Sequence, residues 1–317
     1  MINKNSYSYR GSKIEQTVDN IVIFLTNDPK YIGKFKYNLF TNELEYDGRT
    51  ITKDLITHIA LDVERELGFY YPTKVKYALE KISTYKIDKY HPIKDYLNKL
   101  TWDGKNRNET ILIDWINAED TPLNRLITKT WMKEVIKRVM EPGSQFEHCL
   151  LINEIKIPIA HIFFARLSNG NGLLDTNSIK YKQQQAHAFS KIWMCFINEI
   201  VGRNSEQQRL TREVICASKD YFIPSHGKNT IETGRHCVFV GTTRNKEFLK
   251  KNSLNPDTMY WIINCGHIDE NYIYDNFTDE TVKQLWAEAY YMYKQNPDIS
   301  KDIEKINKMI KNQNNNK

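Results

Sequence analysis

The sequence predicts an α/β fold, in which a mostly parallel, helix-covered sheet follows a mainly helical N-terminal domain. Two observations lead to this prediction. The second half of the chain contains four short apolar runs of strand length, at 149–152, 193–197, 237–240 and 260–263. Segments with helical periodicity separate these runs, and strands that alternate with helices are typical of a parallel sheet covered by helices.

The amino-acid composition excludes several classes of protein. Of the 317 residues, 40% are apolar and 26% are charged, which excludes a fully disordered chain. No apolar run approaches the ~18 residues that a membrane span needs, and residues 1–17 lack the apolar core of a secretory signal. The five cysteines form no C-x-x-C pair, so we expect neither a structural zinc site nor a disulfide framework. The net charge of +6 permits nucleic acid as a partner without requiring it.

Residues 1–85 predict a mixed region of short strands and helices. Residues 1–17 are polar and are expected to be frayed. Residues 21–46 indicate short strands and turns, and Asp47-Gly48 is a turn signal. Helices are then expected over 53–67, over 73–83, and from His91-Pro92 to just before Trp102.

The clearest helical pattern follows Thr121, a good capping residue, and Pro122, which suits the first turn of a helix. Two stripes run along opposite sides of this helix, since an offset of two positions is about 200°. The apolar stripe consists of Leu123, Ile127, Trp131, Val135 and Val139. The basic stripe consists of Arg125, Lys129, Lys133 and Lys137. The basic stripe is interpreted either as a solvated face or as a face that contacts phosphate.

Four further segments are expected after the mixed region. They are a helical domain over 86–145, a core over 146–270, a C-terminal helical region over 271–306 with a helix over 279–293, and a disordered Asn/Lys-rich tail over 307–317.

Several short motifs occur in order along the chain. They are H-P-I-K-D-Y-L at 91–97, W-D-G at 102–104, D-T-P at 120–122, E-P-G at 141–143, C-V-F-V-G-T-T at 237–243 and L-W-A-E-A at 285–289. This ordered set resembles the virulence-associated protein E family of phages and mobile elements. The resemblance implies a P-loop NTPase-like core that is related to superfamily 3 helicases and serves DNA replication.

The resemblance places a phosphate-binding loop after the first core strand, but the residues there are of the wrong types. Such a loop needs glycines so that backbone N–H groups can wrap the phosphates, a lysine for their charge, and a Ser or Thr that binds magnesium. No glycine occurs between Gly143 and Gly170. Ala160 stands in place of the lysine and His161 in place of the Ser or Thr.

Other catalytic positions that the resemblance implies have changed as well. In the run that should carry the acidic pair, Phe196 is apolar and only Glu199 is acidic. Thr258 and Met259 replace an arginine pair that acts across a subunit boundary, and Arg244 replaces a polar sensor of the nucleotide. We therefore expect no catalytic residue, no cofactor and no metal site. ATP and magnesium are expected only if an unconventional loop keeps the site active.

The resemblance also implies a hairpin, and this hairpin is better preserved than the phosphate-binding loop and the catalytic positions. Superfamily 3 relatives carry a hairpin that contacts DNA, and residues 221–229 with 233–235 form the matching stretch. Lys228, Arg235 and His226 are the candidate nucleic-acid contacts there, and an ordinary polar hairpin is the alternative.

These features together predict a catalytically degenerate relative of phage replication ATPases in the cytoplasm of a bacterial host. It is expected to bind DNA, single-stranded and without sequence preference, or a replication or other phage protein, and no membrane. Two alternatives stay open. One is an active ATPase or helicase of phage-type DNA replication, and the other is an interaction module that inhibits another ATPase.

Overall fold

The computed structural model describes residues 6–84, 87–176, 183–198, 205–223, 230–244, 258–268 and 270–315. Contacts within the chain divide it into two units, 1–92 and 93–317. The division into five segments that the sequence suggests stays a prediction, apart from its last segment, which is corrected below.

The first unit combines three helices with a small sheet. The helices are α1 (Val18–Asn27), α2 (Lys53–Leu67) and α3 (Pro72–Thr84). The strands are β1 (Tyr9–Arg10), β2 (Lys13–Ile14), β3 (Phe35–Asn38), β4 (Glu43–Tyr46), β5 (Arg49–Thr50) and β6 (Asp88–Tyr90). Strands β1 and β2 form a separate pair, and the four-stranded sheet has the order β5-β4-β3-β6. The predicted helices over 53–67 and 73–83 are confirmed.

Helix α1 corrects the expectation of strands and turns from residue 21 onwards. Ile21, Phe24 and Leu25 are buried at helical spacing. The Thr17 side chain caps the helix by accepting a hydrogen bond from the Asn20 backbone N–H at 3.1 Å. A short apolar run does not by itself distinguish a strand from a buried helix, and here the spacing and the cap favour the helix. The expected frayed start is also wrong for residues 9–14, which form the β1–β2 pair.

The second unit begins its helices with α4 (Pro92–Lys99), α5 (Ile111–Ile116) and α6 (Pro122–Met140). The later helices are α7 (Ile157–Leu167), α8 (Gln183–Phe189), α9 (Ser205–Cys216), α10 (Glu270–Asn276), α11 (Asp279–Gln295) and α12 (Ser300–Asn315). The strands are β7 (Cys149–Asn153), β8 (Leu173–Thr176), β9 (Met194–Ile197), β10 (Lys219–Phe222), β11 (Ile231–Gly234), β12 (Val238–Thr243) and β13 (Tyr260–Asn264).

Five parallel strands form the central sheet, in the order β13-β7-β12-β9-β8. This confirms the predicted α/β class with a parallel sheet. Strand β7 lies between β12 and β13, and Asn153 at its end is level with Thr243 and Asn264. From β7 the chain crosses to the far edge of the sheet, and its last strand returns to the other side of β7. The end of β7 is therefore a switch point of the topology, where open α/β sheets bind their ligands.

Helix α6 is covered on most sides. The Thr121 side chain caps it by accepting from the Asn124 N–H at 3.1 Å, as the sequence predicts. Helices α5, α11 and α12 all pack against it. The indole N–H of Trp193 donates to the Val135 carbonyl at 3.4 Å and joins α6 to the segment that leads into β9. The side of α6 that carries the basic stripe is therefore not open to solvent along its length.

Helix α12 corrects the predicted disordered tail, because residues 307–315 are helical. Ile299 and Ile306 are buried where α12 packs against α6. Asp298 precedes the helix and accepts a hydrogen bond from the Ser300 N–H at 2.9 Å. Packing of an apolar face stabilises a helix whose Asn-rich sequence has weak helical propensity.

Candidate functional site

The connection from β7 to α7 consists of only residues 154–156. Glu154 has a φ of 65°, in the left-handed region that favours glycine. Ile155 is only 1% exposed, and Lys156 begins the helix without a side-chain cap. The N–H groups of Ile159 and Ala160 both donate to the Lys156 carbonyl, at 3.0 and 3.1 Å. These N–H groups are thus used inside the helix, and the turn has no room for a loop that wraps phosphate.

The two positions that should hold magnesium meet as aromatic rings. His161 lies in α7, and its ring meets the Phe196 ring of β9 edge-on, with centroids 5.9 Å apart. Phe196 is fully buried and also contacts Phe164 at 5.9 Å. Ala160, in the position of the lysine, is fully buried as well. The structure therefore brings together the loop position and the acid position that the resemblance pairs, but neither side chain offers an oxygen ligand for magnesium.

Arg244 connects the end of β12 to the same turn. Its Nη2 donates to the Ile155 carbonyl at 2.9 Å, and the Glu154 N–H donates to the Thr243 carbonyl at 3.4 Å. Arg244, at the position of the implied nucleotide sensor, thus binds the backbone of the turn that follows β7. The side chains of Glu154, Lys156 and Arg244 are exposed at this edge of the sheet.

Two asparagines that sequence reasoning missed lie at the same edge. The Asn153 side-chain amide donates to the Asn264 side-chain oxygen at 2.9 Å, and the Asn153 carbonyl accepts from the Cys265 N–H at 2.9 Å. Next to them, a Cβ on Gly266 would lie 2.4 Å from the Asn117 carbonyl oxygen. The end of β13 is therefore packed closely against the end of α5. The sequence did contain a signal for this pair, because Asn153 and Asn264 each directly follow one of the predicted strands.

The position of the implied arginine pair is part of the core. Met259 is almost completely buried, and its carbonyl accepts from the Cys149 N–H at 2.8 Å. Thr258 beside it is half-buried. A buried thioether does not supply the charge that an arginine brings to a neighbouring subunit. Glu199, the remaining acid of the implied pair, lies outside the described residues.

The hairpin is formed by β10 and β11, with Phe222 level with Ile231. Residues 224–229, with the candidates His226 and Lys228, lie outside the described residues. The assignment of Arg235 as a nucleic-acid contact is wrong, because its side chain is fully buried. Its Nε donates to Asp220 Oδ2 at 2.9 Å, and its guanidinium lies over the rings of Phe189 and Phe239. Arg235 anchors the base of the hairpin in the core.

The basic stripe of α6 is not a continuous cationic surface. Lys133 is only 7% exposed, and its Nζ donates to the Asp298 carbonyl at 2.9 Å, so both interpretations of the stripe are wrong for this residue. Burial lowers the pKa of Lys133. Arg125 pairs with Asp120 at 2.5 Å and Lys129 with Glu109 at 2.6 Å, while Lys137 is half-buried. The neighbouring helix and two carboxylates cover or neutralise most of the stripe.

Helix α6 also contains a buried ion pair, Glu134–Arg138, which sequence reasoning missed. Arg138 Nε lies 3.7 Å from Glu134 Oε1, and both side chains are fully buried. Arg138 Nη2 donates to the Phe146 carbonyl at 2.7 Å. Burial raises the pKa of Glu134 to about 8. The i,i+4 spacing of the two residues was the available signal.

A comparison with protein families identifies this part of the chain. A family model described as the virulence-associated protein E-like domain matches residues 97–317, nearly all of the second unit. The chain belongs to the virulence-associated protein E-like domain family. The resemblance drawn from the ordered motifs is thereby confirmed.

Two solved structures are similar to this VapE-like chain, both described as an A form apo structure of the NrS-1 C-terminal region. Each is 10% identical to it, with TM-scores of 0.41 and 0.45. They cover 81% and 80% of the VapE-like chain, which in turn covers 64% and 65% of theirs. The chain therefore spans less than two thirds of the length of these structures. A search of curated proteins finds no match.

Among the described residues of the VapE-like chain, no group of three or more His, Cys, Asp or Glu side chains is arranged to hold a metal ion. None of the helices formed by these residues has the length and apolar character that a membrane span requires.

Proposed function

We propose that this VapE-like protein is a catalytically degenerate relative of the replication ATPases of phages and mobile elements. It acts by binding DNA or a replication partner and does not hydrolyse ATP. The contact between the His161 and Phe196 rings is the observation that carries the proposal. In a working P-loop ATPase, a Ser or Thr of the loop and an acid on a neighbouring strand hold magnesium between them. Two rings at these positions offer no oxygen ligand.

The surroundings of this contact support the same conclusion. Ile155 is buried within the turn, and Ala160 is buried where a lysine should reach the phosphates. Arg244 is bound to the Ile155 carbonyl. Phosphoryl transfer depends on the loop, the lysine, the metal and the arginine from a neighbouring subunit acting together. An active ATPase would need substitutes for all of them.

The hairpin favours a second candidate, an interaction module that binds another protein. Tyr221 and Ile223 are both exposed on the outer face of β10 and just beyond its end. An exposed aromatic and an exposed aliphatic side chain suit a protein partner, whereas Tyr221 alone also suits stacking on a base.

Two titrations of the pure protein test the proposal side by side. One uses a labelled single-stranded oligonucleotide, and the other uses ATP with magnesium at up to about 1 mM. We expect DNA binding with a dissociation constant of roughly 10⁻⁴–10⁻⁶ M and no saturable nucleotide binding. Saturable ATP binding contradicts the degenerate site. Binding of neither ligand contradicts the DNA-binding role and favours the interaction module.

A further inference from the structure

The outward face of α12 carries three lysines that we call the outer lysine row: Lys301, Lys305 and Lys308. They are spaced at i, i+4 and i+7, so they lie on one face of the helix. All three are exposed. None forms an ion pair or a hydrogen bond with another residue of the described ranges. The row therefore places three unpaired ammonium groups on one exposed face of the helix.

Many other cations of the described chain differ from the row because a carboxylate neutralises them. Such pairs are Lys30–Asp62, Lys81–Asp19, Arg107–Asp103, Arg125–Asp120, Lys129–Glu109 and Lys219–Glu232. Exposed pairs contribute little to stability but cancel the local field. The three lysines of the row lack such a partner among the described residues, and unlike other unpaired lysines they lie together on one helix face.

Packing fixes the direction in which the row points. Ile306 is buried on the opposite side of α12, Ile299 is buried just before the helix begins, and α12 packs against α6. Asp298 and Asp302 both interact electrostatically with Lys133 of α6. Asp302 of the helix and Asp298 just before it therefore lie towards α6, and the lysines of the row lie away from it. Glu304, which is exposed, lies about 60° from the middle of the row.

We infer that the outer lysine row is the surface on which this protein holds the phosphodiester backbone of a nucleic acid. The inference rests on the proposed function and names the surface that serves it. At 1.5 Å per residue the row extends over roughly 10 Å, a length over which one strand of a DNA duplex carries about three phosphates. Each lysine that neutralises a phosphate releases condensed counterions, which drives binding without sequence preference.

The same helix argues against an anionic membrane as the ligand. A helix that lies in a membrane interface inserts its apolar face between the lipids. The apolar face of α12 packs against α6, and the outer row continues into Asn312 instead of an aliphatic side chain. The exposed face can attract phosphates but has no group to insert.

The test compares two variants of the full chain that lose the same charge. One is Lys301→Gln/Lys305→Gln/Lys308→Gln, and the control is Lys13→Gln/Lys36→Gln/Lys53→Gln, which removes three exposed lysines of the first unit. The probe is a fluorescein-labelled oligothymidylate of about 20 nucleotides, longer than the site of one typical single-strand-binding fold. Fluorescence anisotropy is measured between about 50 and 200 mM salt.

We expect the row variant to bind roughly tenfold more weakly at low salt. Its slope of log affinity against log salt should be shallower by about 2, since each phosphate contact to a single strand contributes about 0.7. The control should stay within about twofold of the wild type. Lys301→Arg/Lys305→Arg/Lys308→Arg should keep the affinity, and circular dichroism should show that all variants fold.

Other outcomes contradict either the row as a binding site or the DNA-binding role itself. Unchanged binding by the row variant shows that the row is not the DNA-binding surface, and it leaves the proposed DNA binding standing. Equal losses in the row variant and the control overturn the row as a site, because bulk charge then explains the binding. Binding of the wild type to phosphatidylserine vesicles, but not to the oligonucleotide, overturns both the row and the DNA-binding role.

Discussion

The buried ion pair between Asp220 and Arg235 should be the most sensitive contact at the base of the hairpin. Removal of one partner leaves an uncompensated charge in the core. We expect Arg235→Gln and Asp220→Asn each to lower the free energy of unfolding by about 3–5 kcal/mol, measured by urea denaturation. In the exposed Arg209–Glu213 pair, Arg209→Gln should cost less than about 1 kcal/mol. Losses of similar size at both sites contradict the anchoring role.

The buried carboxyl of Glu134 should make the free energy of unfolding depend on pH. Burial raises the pKa of its carboxyl to about 8 in the folded chain, against about 4.3 for an ordinary glutamate. The folded state therefore holds the proton more firmly than the unfolded state. The resulting stabilisation is fully present below about pH 4 and is lost as the pH rises to about 8.

The variant Glu134→Gln tests this dependence, since its amide resembles the neutral acid. We expect its curve of unfolding free energy against pH to be flatter than that of the wild type between about pH 5 and 8. Urea midpoints measured across this range give both curves. A variant curve as steep as the wild-type curve shows that Glu134 is not the titrating group.

At the scale of elements, the short β7–α7 turn predicts that the lost lysine cannot simply be restored. Ala160 is fully buried in α7, so Ala160→Lys places an ammonium group in an apolar site. We expect a loss of more than about 2 kcal/mol in the free energy of unfolding by urea and no gain of phosphate release. Lys156→Ala, which changes an exposed side chain of the same turn, should alter stability by less than about 0.5 kcal/mol. A stable Ala160→Lys protein that releases phosphate contradicts the closed turn.

The same elements indicate how far the sequence alone could lead. Helix α6 was predictable because Thr121, Pro122 and a four-residue apolar spacing agree. The part of helix α12 from residue 307 onwards was not, since its asparagines obscured the helical pattern that the region up to residue 306 still showed. Spacing shows which residues share a face but not which element covers that face. The burial of Lys133 therefore depends on a helix that begins more than 160 residues later along the chain.

The candidate site was predictable to a similar extent. The changes at Ala160, His161 and Phe196 could be identified once the resemblance had aligned the motifs. The contact between the two rings could not, because it depends on the order of strands in the sheet. Arg235 was misassigned because a charged residue beside a hairpin usually faces water, whereas Asp220 on the partner side of the hairpin buries it as a pair.

At the scale of the whole molecule, the replaced arginine pair predicts weak self-association. Met259 is buried, and a nucleotide that could bridge subunits has no formed loop to bind. We therefore expect monomers or weak dimers at micromolar concentration by light scattering. A stable hexamer in the absence of ligand contradicts this expectation.

We propose as the central point that the protein folds as a P-loop-type core without the chemistry of one. The most direct test is magnesium-dependent phosphate release from ATP by the pure protein, with and without single-stranded DNA. We expect release no faster than in the protein-free buffer under both conditions, because the proposal holds that the loop, the lysine and the magnesium ligands are lost together. Turnover that Glu199→Gln abolishes contradicts it, since that acid would then be working in an intact ATPase site.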